Sequence, residues 1–188
     1  MEFDLTVVAE ALPDVKALVP KRYGDERGFL SEVWHRRALE EAGLDFEPVQ
    51  ENHSVSERAG TVRGLHFQAP PHAQAKLVRV VRGAAFDVAV DLRRGSPSYG
   101  RHAAVVLSAD AWNQIYIPEG FAHGFCTLEP RTELVYKLSG YYSPESEGGL
   151  LWNDPAVGIE WPVDPERAVL SDKDRGWPPL AGLGEVFA

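Results

Sequence analysis

Residues 63–68 read Arg-Gly-Leu-His-Phe-Gln, and residues 76–81 read Lys-Leu-Val-Arg-Val-Val. In a β-strand, side chains at positions i, i+2 and i+4 point to the same face. Lys76 therefore shares a face with Val78 and Val80, which places a charged amine on an apolar side of the strand. Lysine is almost never fully buried unless it is paired or functional. The two stretches predict strands whose inner face carries chemistry as well as core residues.

A second strand pattern places Tyr136 on the same face as Leu134 and Leu138. If these inner faces line one barrel, His66, Lys76 and Tyr136 converge on a pocket that holds a base, a cation and an acid. A single histidine or tyrosine is more often a hydrogen-bonded structural residue. It is the combination of the three that indicates a site.

The positions of Arg63 and His66 break the simple alternation. They are three residues apart, so strict alternation would put them on opposite faces. For both to enter one pocket the strand needs a bulge, and Gly64 is the residue that would permit one.

Short strands separated by turn residues run along the whole chain. Strands are predicted at residues 4–9, 16–19, 29–34, 48–56, 62–68, 76–81, 85–91, 101–107, 113–117 and 132–140, with one more ending at 128, a turn at 23–28 and a helix at 36–42. In the strand 85–91, Phe86, Val88 and Val90 are expected to point inward. This spacing is typical of an antiparallel sandwich or barrel. We expect one all-β domain over residues 1–188, with a short irregular C-terminal tail.

Composition narrows the class of protein. The formal net charge of −9 argues against a broad nucleic-acid surface, which requires clustered Lys and Arg. Cys126 is the only cysteine, so no intrachain disulfide can form and a reducing compartment is indicated. The N-terminus lacks the pattern of a signal peptide, and no stretch approaches the ~18 apolar residues of a membrane span. We therefore expect a cytoplasmic protein with no nucleic-acid or membrane partner.

Nine sequence blocks resemble those of the dTDP-4-dehydrorhamnose 3,5-epimerases and follow the family's order. They are residues 25–29 (DERGF), 50–54 (QENHS), 63–68 (RGLHFQ), 76–79 (KLVR), 118–125 (PEGFAHGF), 135–137 (VYK), 141–144 (YYSP), 152–155 (WNDP) and 170–174 (LSDKD). The resemblance implies a cupin-type double-stranded β-helix, or jelly roll, with one or two short helices. It also implies a homodimer in which N-terminal strands cross to the partner and complete its site.

The same resemblance implies epimerisation of dTDP-4-dehydro-6-deoxy-D-glucose at carbons 3 and 5 to dTDP-4-dehydro-L-rhamnose, in dTDP-L-rhamnose biosynthesis. The protons on carbons 3 and 5 both lie alpha to the ketone at carbon 4, so a base can remove them. His66 would be the base, because an imidazole with an unperturbed pKa of about 6.5 is largely neutral at working pH and can accept a proton. The family pairs this histidine with Asp174. Lys76 would hold the charge of the enolate, and Tyr136 would be the acid.

The resemblance further implies a set of substrate-binding residues. They are Arg63 and His123 for the sugar and diphosphate, Gln50 and Asn52 for further hydrogen bonds, Arg27 and Glu32 for the nucleotide in the partner's site, Tyr142 for stacking on thymine, and Glu147 and Lys173 beside it. The choice of Glu147 over Glu145 depends on a count without gaps.

No metal or other cofactor is expected. The first cupin metal motif is broken, because Phe67 and Gln68 follow His66, and stable first-row metal sites need three or four ligands. Three alternatives to the double epimerase remain open: a 3- or 5-epimerase on a related dTDP-keto-sugar, a metal-dependent cupin enzyme using His66 and His123, and a non-catalytic sugar-nucleotide binding module.

Overall fold

Two facing antiparallel β-sheets make up most of the computed structural model, which describes residues 3–9 and 12–187. The six-stranded sheet has the spatial order β1 (Phe3–Ala9), β2 (Leu12–Pro20), β10 (Gln114–Ile117), β7 (Lys76–Arg82), β12 (Thr132–Leu138) and β5 (Gln50–Ser56). The five-stranded sheet has the order β13 (Glu147–Gly149), β6 (Val62–Gln68), β11 (Phe121–Thr127), β8 (Ala84–Asp91) and β9 (His102–Ser108). The predicted all-β class is confirmed.

The remaining elements are short. A hairpin pairs β3 (Arg22–Asp25) with β4 (Gly28–Ser31), and two small helices, α1 (Arg36–Glu41) and α2 (Asp172–Arg175), flank the sheets. Single 3-10 turns occupy Pro144–Ser146 and Leu180–Gly182. Within the described ranges, no helix has the length and apolar character that crossing a membrane would need.

The predicted turn at residues 23–28 is correct only for its tip. Tyr23 pairs with Leu30 and Gly24 pairs with Phe29, so the flanking residues form the hairpin and the strand predicted over 29–34 ends at Ser31. Trp112 explains the difference, because its ring meets that of Phe29 edge-on at 4.7 Å. This contact comes from a distant part of the chain, which the local sequence does not show.

The main core lies between the two sheets. Val78 on β7, Ala89 on β8, Leu107 on β9 and Leu134 on β12 are fully buried members of it. Strand β9 packs against β7 and β2, which closes the sandwich on that side. Lys76 is buried together with its face-mates Val78 and Val80, so the inward lysine predicted from the alternation is confirmed.

Strand β8 is oriented opposite to the sequence prediction. Ala85 and Ala89 face the core between the sheets, whereas Val88 and Val90 pack in a second apolar cluster with Leu150, Val157 and Phe187 from the C-terminal segment. Phe86, Val88 and Val90 therefore point away from the barrel interior. The prediction was wrong because the C-terminal segment covers the outer face of this sheet, so the larger side chains of β8 are buried there instead.

Strand β6 carries the bulge that the sequence predicted. Against β11, His66 pairs with His123 and Arg63 pairs with Phe125, so a three-residue step on β6 lies opposite a two-residue step on β11. Gly64 lies within this step at φ +113°, a conformation that L side chains rarely adopt. The bulge brings Arg63 and His66 to the wall of the same cavity.

Replacement of Gly64 by alanine tests the bulge. A Cβ there would lie 2.7 Å from the backbone of the neighbouring strand, at the His123 oxygen and the Gly124 Cα. Because backbone cannot rotate aside, we expect Gly64→Ala to lower the free energy of unfolding by about 2–4 kcal/mol, measured by chemical denaturation. Gly95→Ala is the control, since a Cβ at Gly95 meets no atom within 4 Å. Equal stabilities for the two variants would contradict the strained bulge.

Candidate functional site

A cavity of about 430 Å³ opens between the sheets. His66 on β6, Lys76 on β7 and Tyr136 on β12 all line it, and the same three residues line an adjoining space of about 160 Å³. His66 belongs to the five-stranded sheet, whereas Lys76 and Tyr136 belong to the six-stranded sheet. The three groups predicted from the sequence therefore meet, with the imidazole and the phenol on opposite walls.

The structure brings together all but two of the predicted site residues. The larger space is lined by Arg63, His66, Lys76, His123, Tyr136, Lys173 and Asp174, and the smaller space by Gln50, Asn52, His66, Lys76, Tyr136, Tyr142 and Glu147. Arg27 lies instead at the tip of the hairpin, exposed and bonded to Asp25. Glu32 follows the hairpin, 3.8 Å from His35 Nε2.

A short hydrogen bond joins His66 to Asp174, with 2.5 Å between His66 Nε2 and Asp174 Oδ1. Asp174 lies on α2, a helix that begins after Ser171, whose hydroxyl accepts a hydrogen bond from the Asp174 backbone N–H. Burial alone would raise the pKa of Asp174, but the hydrogen bond and charge of His66 lower it overall. A carboxylate accepts but does not donate, so the neutral His66 imidazole carries its hydrogen on Nε2 and has its lone pair on Nδ1.

Trp177 holds the other side of the His66 ring. The two rings meet edge-to-face with centroids 6.2 Å apart, and Lys173 Nζ lies 5.7 Å from the centre of the indole. The Trp177 indole lies against Gly149. A Cβ on residue 149 would overlap the atoms of the indole ring, so the glycine leaves the space that the ring occupies. Gly149 in turn pairs with His66 across β13 and β6. The imidazole is thus fixed by a carboxylate and by an aromatic ring.

Lys76 is the buried cation of the cavity, with 9% of its surface exposed. Its Nζ donates a hydrogen bond to the backbone oxygen of His66 at 3.3 Å. Burial lowers the pKa of Lys76 to about 8, and the charge of Asp87 opposes that shift. At neutral pH the amine is therefore mostly protonated, although it is poorly solvated.

A second imidazole and carboxylate pair, His123 and Asp87, lies beside the first. His123 Nε2 is 3.0 Å from each carboxylate oxygen of Asp87, and both residues are buried. Burial lowers the pKa of His123, Asp87 opposes this, and the charges of Lys76 and His66 lower it further. The His123 imidazole is therefore neutral at pH 7.

Polar contacts order the smaller space. Tyr142 donates its hydroxyl hydrogen to Glu147 at 2.8 Å, and Glu147 forms an ion pair with Lys173 at 2.5 Å. The Gln50 side chain accepts a hydrogen bond from the Tyr142 backbone N–H and donates one to Asn52, both at 2.9 Å. Glu147 rather than Glu145 lines this space, which agrees with the ungapped count.

Arg63 lines the larger space, and two neighbouring groups hold its guanidinium in place. Its guanidinium donates to the Ser56 hydroxyl at 3.2 Å and to the Val55 backbone oxygen at 3.1 Å, with no carboxylate partner in the described part of the chain. Arginine with free donors is suited to phosphate oxygens, because its planar fork binds two of them at once.

Within residues 3–9 and 12–187, no group of three or more His, Cys, Asp or Glu side chains is arranged to hold a metal ion. His66 and His123 pair across β6 and β11, but each directs Nε2 to its own carboxylate.

The sequence did not predict two residues of the site, Asp87 and Trp177. Asp87 was missed because β8 was assigned the wrong inner face, although a carboxylate inside a nearly continuous apolar run was itself a signal of function. Trp177 was missed because it follows α2 in an irregular segment, where no periodicity indicates which way a side chain points.

Comparison with known proteins gives consistent matches. A family model described as dTDP-4-dehydrorhamnose 3,5-epimerase matches residues 9–182. A relative of that name from Salmonella typhimurium is 51% identical over 177 residues, which cover 94% of this chain and 96% of the relative.

Solved structures agree with the sequence matches. The dTDP-4-dehydrorhamnose 3,5-epimerase of Bacillus anthracis, crystallised with TDP and PPi bound, is 46% identical with a TM-score of 0.89, covering 94% of this chain and 99% of that chain. The dTDP-6-deoxy-D-glucose-3,5-epimerase of Legionella pneumophila, in complex with dTDP-4-keto-L-rhamnose, is 40% identical with a TM-score of 0.91, covering 97% and 95%. These similarities confirm the resemblance seen in the sequence and the cupin-type jelly roll.

Replacement of Gly149 by alanine tests the support of the imidazole. The added Cβ would overlap the Trp177 indole, so we expect Gly149→Ala to displace Trp177, to shift the imidazole NMR resonances of His66, and to cost about 1–3 kcal/mol of stability. Gly176→Ala is the control, since its nearest neighbours would be 3.6 Å away. If Gly149→Ala left the His66 resonances where Gly176→Ala leaves them, the indole would have no part in holding the ring.

Proposed function

This chain belongs to the dTDP-4-dehydrorhamnose 3,5-epimerase family and is an isomerase, and from that membership we propose how its own residues perform the reaction. The reaction converts dTDP-4-dehydro-6-deoxy-D-glucose to dTDP-4-dehydro-L-rhamnose by inverting carbons 3 and 5. The observation that carries the assignment of roles is the meeting of His66, Lys76 and Tyr136 around one cavity, with the imidazole and the phenol on opposite sheets.

His66 is the proposed base. With its Nε2 hydrogen directed to Asp174, the lone pair on Nδ1 removes the proton alpha to the ketone. The imidazolium that forms is stabilised by the adjacent carboxylate, which also holds the ring in one tautomer. Asp174 keeps its charge through this step because its pKa lies below the ordinary value, with burial opposed by the contacts to His66.

Lys76 is the proposed stabiliser of the enolate. Proton removal places negative charge on the oxygen at carbon 4, and a poorly solvated ammonium interacts with that charge more strongly than one in water does. By analogy with single oxyanion-hole donors, this contact contributes about 3 kcal/mol to transition-state stabilisation. It requires the protonated amine, so we expect activity to decline as the pH rises through about 8.

Tyr136 is the proposed acid. It approaches from β12 while His66 approaches from β6, so a sugar ring between the sheets presents one face to each residue. Return of a proton from the phenol to the face opposite the base inverts the carbon.

The remaining residues are proposed to bind the nucleotide sugar. Arg63 supplies positive charge for the diphosphate, and His123, Gln50 and Asn52 offer hydrogen bonds inside the cavity. Lys173, paired with Glu147, is proposed to lie beside the thymine. The Tyr142 ring, more than half exposed, is available to stack on thymine beside Glu147. An inversion at carbon 3 or 5 alone is not favoured, because relatives about 50% identical to this chain are named 3,5-epimerases.

The assignment of base and acid is tested by solvent exchange. In heavy water we expect the protein to place deuterium at carbons 3 and 5 of dTDP-4-dehydro-6-deoxy-D-glucose, read by NMR. His66→Asn removes the base and should slow exchange roughly 10²-fold or more. Tyr136→Phe should retain exchange at some position while inversion is impaired.

Two matched variants control for general effects of substitution. His53→Asn and Tyr141→Phe change an exposed imidazole and an exposed phenol that do not line the cavity, and both should behave like the wild type. Exchange at the wild-type rate in His66→Asn would exclude His66 as the base. Full exchange with full inversion in Tyr136→Phe would exclude Tyr136 as the acid.

A homodimer with exchanged N-terminal elements is proposed to complete the site. The hairpin of β3 and β4 exposes Tyr23, Phe29 and Leu30, the last at 71% of its surface, and it carries Arg27 outside this chain's own cavity. An apolar hairpin that bears a cation away from the cavity is suited to insertion into a second subunit. Arg27 and Glu32 would there contact the partner's nucleotide.

A cytoplasmic location is proposed from the single buried Cys126, and cell fractionation that recovers the enzyme elsewhere would contradict it.

Replacement of Leu30 by glutamate tests the dimer. A buried charge at the interface should shift the protein from dimer to monomer in light scattering, with loss of activity. Val106→Glu, which also changes an exposed apolar side chain but on β9, should leave the dimer intact. A wild type that scatters as a monomer would contradict the exchange.

A further inference from the structure

Asp87 is a fully buried carboxylate beside the cavity, and it lines neither of the two spaces. Two other carboxylates near the cavity are already engaged, Asp174 with His66 and Glu147 with Lys173. The hydrogen-bond partner found for Asp87 in the described ranges is His123, which is neutral at pH 7. The negative charge of Asp87 is therefore balanced mainly by a cation at longer range.

That cation is Lys76, whose pKa is raised by the charge of Asp87 against the effect of burial. The titratable groups that share the cavity walls with Lys76 are Arg63, His66, His123, Tyr136, Tyr142, Glu147, Lys173 and Asp174. Most are cationic or neutral, and the two carboxylates among them are bonded to His66 and Lys173. Asp87 is thus the acidic group available to counter the charge of Lys76.

The hydrogen bond between Asp87 and His123 also fixes a tautomer. Because a carboxylate can only accept, His123 places its hydrogen on Nε2, and a neutral imidazole then has a lone pair on Nδ1. For Nδ1 the described residues supply no hydrogen-bond partner, and His123 lines the cavity. A nitrogen lone pair repels phosphate oxygens and accepts a hydrogen bond from a hydroxyl.

We propose that Asp87 is a positioning residue for the reaction proposed above: it holds His123 as the neutral Nε2–H tautomer and supplies the negative charge that keeps the Lys76 ammonium protonated. His123 then accepts a hydrogen bond from a hydroxyl of the sugar, and binding of the diphosphate belongs to Arg63. Both effects come from one buried carboxylate that does not touch the substrate.

The test compares Asp87→Asn with Asp91→Asn. Asparagine keeps the shape of Asp87 and removes its charge, so the Lys76 ammonium loses its proton at lower pH. We expect the alkaline limb of the pH profile of kcat/KM to move down by about one pH unit. At pH 8 kcat/KM should fall about fivefold, because the protonated fraction of Lys76 drops from about one half to about one tenth, and activity should recover at lower pH.

Asp91 is a matched control on the same strand. It is equally buried, but its partners are Arg93, Ser96 and Ser98, which lie outside the cavity. Asp91→Asn should lower stability and leave the alkaline limb unchanged. An Asp87→Asn limb that coincides with those of Asp91→Asn and the wild type would overturn the proposal.

A measurement on the wild type covers the case in which Asp87→Asn does not fold. Imidazole ¹⁵N NMR of histidine-labelled protein, free of substrate, should show His123 protonated on Nε2 and bare on Nδ1 at pH 7, because burial lowers the pKa of His123 from its ordinary value. A hydrogen on Nδ1, or a doubly protonated ring at pH 7, would overturn the proposal. Since this measurement involves no turnover, it is decided separately from the solvent-exchange test of the reaction.

Discussion

One hydrogen bond across the two sheets joins Lys76 to His66, the proposed base of this site. The Lys76 ammonium on β7 donates to the backbone oxygen of His66 on β6, which joins the ammonium to the strand that carries the imidazole. Burial of an ammonium is costly unless hydrogen bonds and opposite charge offset it. The carbonyl of His66 and the charge of Asp87 supply that offset, which leaves an ammonium ready to meet the oxygen of an enolate.

The sandwich architecture solves the stereochemical problem of the reaction. Inversion needs a base on one face of the sugar ring and an acid on the other, and the two sheets place His66 and Tyr136, the proposed base and acid, on opposite sides of the cavity. Inversion at two carbons with one such pair also requires the ring to be repositioned between steps. Both adjoining spaces share His66, Lys76 and Tyr136, so the sugar has room on either side of the reacting groups.

Local alternation predicted what depends on neighbours in sequence, and it failed where distant chain segments decide. Lys76 and Tyr136 could be placed because their strands follow a regular period of two. For Arg63 and His66, the sequence predicted only that the strand must contain a bulge if both side chains are to line one pocket. The inner face of β8 could not be predicted, because the C-terminal segment buries its outer face and an apolar run buried on both sides carries no periodicity. Because the inner face of β8 was assigned wrongly, Asp87 was not predicted as a residue of the site.

The position of Asp87 behind His123 resolves a conflict between two requirements of the cavity. Lys76 needs a negative charge nearby to remain protonated, whereas a diphosphate and an enolate would be repelled by a carboxylate on the cavity wall. At a given dielectric the Coulomb energy falls only as the inverse of distance. The buried Asp87 carboxylate, which lies behind His123, therefore still acts on the Lys76 ammonium. His123 lines the cavity and Asp87 does not, so under the proposal the substrate meets a hydrogen-bond acceptor rather than a negative charge.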